Sequence, residues 1–209
     1  LCDYNRAAVP LIEIVTEPDM SSAEEARSFG ENLRLMLAYA DISDVKMEQG
    51  SLRCDVNISL RPEGTEELGV KVEIKNLNSF RSVYRAICYE EERQAEMLDQ
   101  GERIIQETRL WDEAAGITKS MRSKEDAHDY RYFPEPDLPP VIIDNEWMKE
   151  IADSMPEMPT AMKARLTGEL GLSDYDAGQI TSQPALAKFF NQLYEQCSDA
   201  KAAANWLLG

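Results

Sequence analysis

The clearest pattern along the chain is two-residue alternation over residues 51–60. Leu52, Cys54, Val56, Ile58 and Leu60 are apolar, and Ser51, Arg53, Asp55, Asn57 and Ser59 between them are polar. That period belongs to a half-buried β-strand. A second run repeats it, with Val70, Val72 and Ile74 apolar and Lys71, Glu73 and Lys75 polar. Pro62, Gly64 and Gly69 break the segment between them into a connection. Antiparallel pairing that keeps apolar opposite apolar sets Leu60 against Val70, Asn57 against Glu73 and Asp55 against Lys75. One face is then core, and the other carries Arg53, Asp55, Asn57, Lys71, Glu73 and Lys75. Two readings of that polar face stand side by side. It is a solvated surface laced with cross-strand charge pairs, or a platform for a phosphorylated ligand and a divalent metal. Carboxylates suit magnesium, and Arg and Lys suit phosphate oxygens.

The remaining periodicity supplies the surrounding elements. Residues 9–16 read as a further strand, with Glu13 among apolar neighbours. Ser21 or Ser22 caps a helix that packs through Ala26, Phe29, Leu33, Met36, Leu37 and Ala40. Glu48 stands in the turn before Gly50, either on the surface or aimed into a site. A long helix follows Ser79, with Phe80, Val83, Tyr84, Ile87, Glu91 and Leu98 on its buried side and Gly101 just past its end. Residues 103–111 and 117–122 read as a hairpin. The pattern predicts an α+β class over residues 1–143, with helices on one face of a mostly antiparallel sheet. From residue 144 the texture changes to short helices over 146–155, 159–170, 173–181 and 184–196, with another starting near Ser198. These form a smaller all-helical domain over 144–209. Between the two, residues 123–140 lack periodicity and gather His128, Asp129 and Arg131 with Tyr130, Tyr132 and Phe133. A long charged loop of this kind carries function or stays disordered. The aromatics and prolines favour order. His128 is structural or substrate-positioning.

Composition narrows the function classes. A net charge of −17 over 209 residues argues against nucleic-acid binding by bulk electrostatics. Local basic groups remain, at Arg53, Arg61, Lys71, Lys75, Arg81 and Arg85, and again at Lys119, Arg122, Lys124 and Arg131. Cys2, Cys54, Cys88 and Cys197 are scattered without metal-site spacing, which fits a reducing cytosol better than a disulfide or zinc framework. No apolar run is long enough for a membrane helix, and no basic-then-apolar leader is visible. Both ends read as cuts within a longer protein.

Several strings resemble one family closely. They are Asp3-Tyr4-Asn5-Arg6, Pro10-Leu11-Ile12-Glu13-Ile14-Val15, Glu48-Gln49-Gly50-Ser51-Leu52-Arg53-Cys54-Asp55, residues 71–80, Gln106-Glu107-Thr108-Arg109 and residues 128–138. The family is the B subunit of the aspartyl/glutamyl-tRNA amidotransferase, and the resemblance runs along essentially the whole chain. It implies ATP- and Mg2+-dependent phosphorylation of the side-chain carboxylate of Glu on glutamine tRNA, or of Asp on asparagine tRNA. Amidation follows, with ammonia from a separate amidase subunit joined through a small third subunit. It also implies a cradle similar to the glutamine synthetase fold. The site residues it implies are Glu73 at the metal, with Glu48 and Asp55 as further metal candidates. Arg53, Lys71 and Lys75 fall to ATP phosphates, with Glu73, Lys75 and Arg53 catalytic. His128 and Arg131 position tRNA or substrate. Two positions depart from the family pattern: Gln49 where a second Glu is common, and Ala8 where Gly is usual. The family's N-terminal section, with further metal-binding His and Glu residues, and its C-terminal tail domain fall outside the chain. The fragment alone is therefore expected to be inactive. The competing reading is a non-catalytic scaffold that docks tRNA or other subunits.

Overall fold

The computed structural model describes residues 9–121 and 136–209. The elements are α1 (Ala23–Tyr39), β1 (Cys54–Ile58), β2 (Val72–Leu77), α2 (Phe80–Asp99), β3 (Thr108–Asp112) and β4 (Ile117–Ser120). They are followed by α3 (Asn145–Ser154), α4 (Pro159–Gly168), α5 (Asp174–Thr181), α6 (Pro184–Cys197) and α7 (Ala200–Leu208). The class is α+β, with one mixed sheet in the order β1-β2-β3-β4.

β1 and β2 pair antiparallel in the register that the alternation predicts, with Asn57 opposite Glu73. The ladder ends at Ile58 opposite Val72, so the expected Leu60–Val70 pair lies beyond it. Toward the other end the register shifts by one residue, and Cys54 faces Leu77. Asn76 absorbs the shift at φ 68°, a left-handed conformation that Asn tolerates better than most residues. Its amide donates to the Trp111 carbonyl at 2.9 Å.

β2 and β3 run parallel, so the sheet is mixed, while its other two ladders are antiparallel as expected. The reason for the parallel pair is the length of α2. Its 20 residues span about 30 Å, enough to carry the chain back along the sheet, as a parallel pair requires. β3 and β4 form the expected hairpin, with Gly116 at φ 68° in its turn.

The strand expected over residues 9–16 does not form. Val9, Leu11, Ile12, Ile14 and Val15 are all exposed. A strand needs a ladder for its N–H and C=O groups, and no described strand lies beside this one.

α2 covers the sheet, and Ile74, Leu77, Phe80, Val83, Ala86, Ile87 and Trp111 form the core between them. Glu91 proves exposed, and Glu90 and Gln94 lie on the buried side instead. Tyr84 and Leu98 also sit toward solvent. α1 packs across α2 at Gly30, where a Cβ would come 2.3 Å from the Phe80 ring. Its own cap is Ser22, whose hydroxyl accepts from the Glu25 amide at 3.2 Å, while Glu25 accepts from the Ser21 amide at 2.6 Å. Phe29 and Met36 of the expected packing face are exposed. α1 turns Leu35 and Tyr39 toward a second core, built from Met162, Leu166, Leu172, Ala177, Ile180, Ala187, Phe190, Ala203 and Ala204. Past residue 144 every described element is a helix, each within a few residues of its expected bounds.

Candidate active site

The strand pleat sends Ile74 into the core and leaves Glu73 and Lys75 on the opposite face, which none of the described helices covers. Lys75 stands between two carboxylates, with Nζ 3.1 Å from Asp55 Oδ2 and 3.2 Å from Glu73 Oε1. Asn57 lies across the ladder from Glu73. The structure thus brings together Asp55, Asn57, Glu73 and Lys75. Asn57 pairs with Glu73 as the alternation predicts, whereas Asp55 lies at the register shift and meets Lys75 through side chains, not as its expected ladder partner. Lys71 adds a positive charge near Glu73, and Arg53 is exposed just ahead of β1.

The other edge of β2 supplies a residue that sequence reasoning missed. Thr108 is the parallel neighbour of Glu73, and its hydroxyl donates to Glu73 Oε2 at 2.7 Å. Partial burial works to raise the Glu73 pKa. The hydrogen bonds from Thr108 and Lys75, with the charges of Lys75 and Lys71, outweigh it and hold the carboxyl below its ordinary value. Lys75 is shifted the other way. Partial burial disfavours its charge, and Asp55 and Glu73 more than restore it. Both shifts favour the charged forms, so Glu73 and Lys75 stand as an ion pair at neutral pH.

Behind β3 the sheet is anchored by a buried ionic cluster. Glu90 of α2 is fully buried. Its carboxylate meets Arg93 Nη2 at 2.8 Å and Arg109 Nε at 3.0 Å, and accepts from the Thr118 hydroxyl. Arg109 also reaches Glu107 at 2.6 Å. A usable signal existed in the sequence. Val83, Ile87, Glu90 and Gln94 follow the four-three-four spacing of one helix face.

Glu48 lies elsewhere. It lines a cleft of about 340 Å3 with Arg34, Lys46, Ser79 and Gln183, which contains none of Asp55, Glu73 or Lys75. His128 and Arg131 lie outside the described residues. Burial, then the neighbouring Asp55 charge, pushes the Cys54 thiol up to about 11, so it is no nucleophile at neutral pH.

The donor chemistry of the open face fits a hard cation in part. Magnesium commonly takes one or two protein carboxylates and completes its shell with water and substrate phosphates. Glu73 and Asp55 are oxygen donors of that kind, with Lys75 held between them. Among the described residues no group of three His, Cys, Asp or Glu side chains is placed to hold a metal unaided. No helix of the described residues is long and apolar enough to cross a membrane.

The family profile described as GatB/GatE catalytic domain matches residues 1–149. Among curated relatives, the aspartyl/glutamyl-tRNA(Asn/Gln) amidotransferase B subunit of Caldicellulosiruptor saccharolyticus is 57% identical over 209 residues. That of Caldicellulosiruptor bescii is 55% identical over 209 residues, and that of Carboxydothermus hydrogenoformans 54% over 208. Each alignment takes in 100% of this chain and 44%, 44% and 43% of the respective relative, so the chain spans less than half their length. The chain belongs to the family of aspartyl/glutamyl-tRNA(Asn/Gln) amidotransferase B subunits.

Proposed function

We propose that this chain is part of the subunit that activates the side-chain carboxylate of Glu-tRNA(Gln) or Asp-tRNA(Asn) with ATP and passes it to ammonia. The observation that carries the reading is the Asp55–Lys75–Glu73 contact on a sheet face that none of the described helices covers. In this reaction the substrate carboxylate oxygen attacks the γ-phosphorus and ADP leaves. Ammonia then attacks the acyl carbon, phosphate leaves, and a proton is lost from nitrogen. Charge builds on the transferring phosphoryl group, and fixed cations offset it. Lys75, Lys71 and Arg53 supply such cations. Glu73, with Asp55 beside it, would hold a magnesium ion, which supplies further neutralisation of phosphate charge when bound. No protein nucleophile is required, in keeping with the unreactive Cys54. His128 then has a structural or positioning role, since a carboxylate nucleophile carries no proton to remove.

In this reading the sheet is one wall of a cradle, and residues 144–209 make a helical domain beside it. Mischarged tRNA, an amidase subunit that supplies ammonia and a small third subunit complete the assembly, in the cytoplasm. The family membership and the relatives' names support this. A scaffold that only grips tRNA phosphate or other subunits would use the same lysines without needing Glu73. Glu73→Gln in the full-length subunit, within the assembled complex, separates the two. Folding and glutamine hydrolysis should persist while ATP-dependent amide formation falls by about 100-fold. Normal amide formation at low magnesium would return Glu73 to a plain surface charge ladder.

A further inference from the structure

The strongest unassigned contact on the open face is the hydroxyl of Thr108 on Glu73. We infer that Thr108 is a positioning residue: it fixes one oxygen of Glu73 so that the remaining lone pairs are presented outward to a divalent cation. The inference rests on the proposed role of Glu73 as a metal ligand.

Three observations carry it. First, the contact is direct and short, at 2.7 Å to Oε2, while Lys75 takes Oε1 at 3.2 Å. The two oxygens are thus held by different partners on different strands. The hydroxyl is a neutral donor and leaves the carboxylate charge uncancelled, whereas Lys75 offsets it. Second, Thr108 is placed by the ladder, since it is the register partner of Glu73 and the Glu73 amide donates to the Glu107 carbonyl at 3.0 Å. A threonine in a strand has a restricted χ1, so backbone position fixes hydroxyl position closely. Third, β3 cannot shift freely. Arg109, the next residue, is tied to the buried Glu90 of α2 at 3.0 Å. A threonine hydroxyl on an open face could be satisfied by water alone. Here the parallel crossover directs it to the carboxylate. Partners behind a ligand orient it and commonly change metal affinity when removed.

The test uses the full-length subunit in the assembled amidotransferase complex, with Thr108→Val, Thr108→Ser and Glu73→Gln. Valine keeps the shape and removes the donor, and serine restores the donor. Mn2+ binding without nucleotide is followed by electron paramagnetic resonance. The magnesium concentration giving half-maximal amide formation is measured beside it, with glutamine hydrolysis as the control for assembly. Thr108→Val should weaken Mn2+ binding and raise the magnesium requirement roughly tenfold, with amide formation at saturating magnesium near wild type. Thr108→Ser should recover both. If Thr108→Val does not assemble, Thr108→Ala replaces it with the same expectation. Wild-type Mn2+ affinity in Thr108→Val, alongside its loss in Glu73→Gln, overturns the inference and leaves the Glu73 reading standing. Unchanged Mn2+ binding in Glu73→Gln overturns both.

Discussion

Glu90 of α2 and Arg109 of β3 meet at 3.0 Å, with the carboxylate fully buried and Arg93 at 2.8 Å on its other side. This cluster ties the crossover helix to the strand that lies beside Glu73. Removing that carboxylate takes the ion-pair partner from Arg93 and one of two from Arg109, which keeps Glu107. Breaking such an arrangement from one side costs about 3–5 kcal/mol. Glu90→Gln should therefore lower the unfolding free energy by about 3 kcal/mol at pH 7, measured by denaturant titration of the full-length subunit. A loss near that of an exposed charge would show the cluster to be energetically idle.

The same group sets an acid limit. Burial works to raise the Glu90 pKa, but hydrogen bonds from Arg93, Thr118 and Gln94, with the Arg93 charge, bring it below its ordinary value. A carboxyl depressed in the folded state is protonated first in the unfolded state as pH falls. Its contribution is complete above about pH 4.3 and is lost as pH drops through the lower folded value. Melting temperature should fall on acidification below that point in the wild type, and the slope should be shallower in Glu90→Gln.

Gly30 gives a prediction in which two effects oppose each other. Alanine in mid-helix gains about 1 kcal/mol over glycine. A Cβ there would lie 2.3 Å from the buried Phe80 ring, and overpacking costs about 1–3 kcal/mol. The clash should win, and Gly30→Ala should destabilise by about 1 kcal/mol. Adding Phe80→Leu should recover part of the loss in the same denaturation experiment.

Asn76 holds the register shift of β2 at φ 68° and donates to the Trp111 carbonyl. Asn76→Ala loses that hydrogen bond, worth about 1 kcal/mol, and adds backbone strain of about 1 kcal/mol. Asn76→Gly loses only the bond. Alanine should therefore cost about twice what glycine costs, and equal losses would remove the strain from the account.

The thiols should separate by reactivity. Cys197 is exposed, and the Cys54 thiol is pushed up to about 11, leaving roughly one part in a thousand as thiolate at pH 8. Iodoacetamide at pH 8, read by peptide mass mapping, should modify Cys197 well before Cys54.

Much of this was legible in the chain, for reasons that differ by element. Alternation placed Asn57 opposite Glu73 because a one-residue slip would bury charge. Ser22 and Ser79 mark helix starts because short polar side chains accept from the first-turn amides. The parallel β2–β3 pair was not read, since strand direction follows from the crossover and not from the strand. Thr108 and Glu90 escaped for a related reason. Their roles depend on neighbours 35 and 28 residues away in the sequence, and only the crossover fixes those distances. Residues 9–16 carry a strand's pattern without a described partner strand.

α1 has a consequence for the chain as a mechanical object. Near its start Ala23 and Ala26 belong to the core under the sheet, and near its end Leu35 and Tyr39 belong to the core of the helices. The Tyr39 hydroxyl donates to the Thr181 carbonyl at 3.0 Å, and burial, then the Glu157 charge, pushes its pKa up to about 12. A rod about 24 Å long is thus clamped at both ends. A tilt imposed on the α4–α7 bundle arrives at Gly30 and Phe80, and through α2 at the strands behind Glu73. Severing the chain near residue 144 would not part it along a seam. It would strip one clamp and turn Leu35 and Tyr39 out to water.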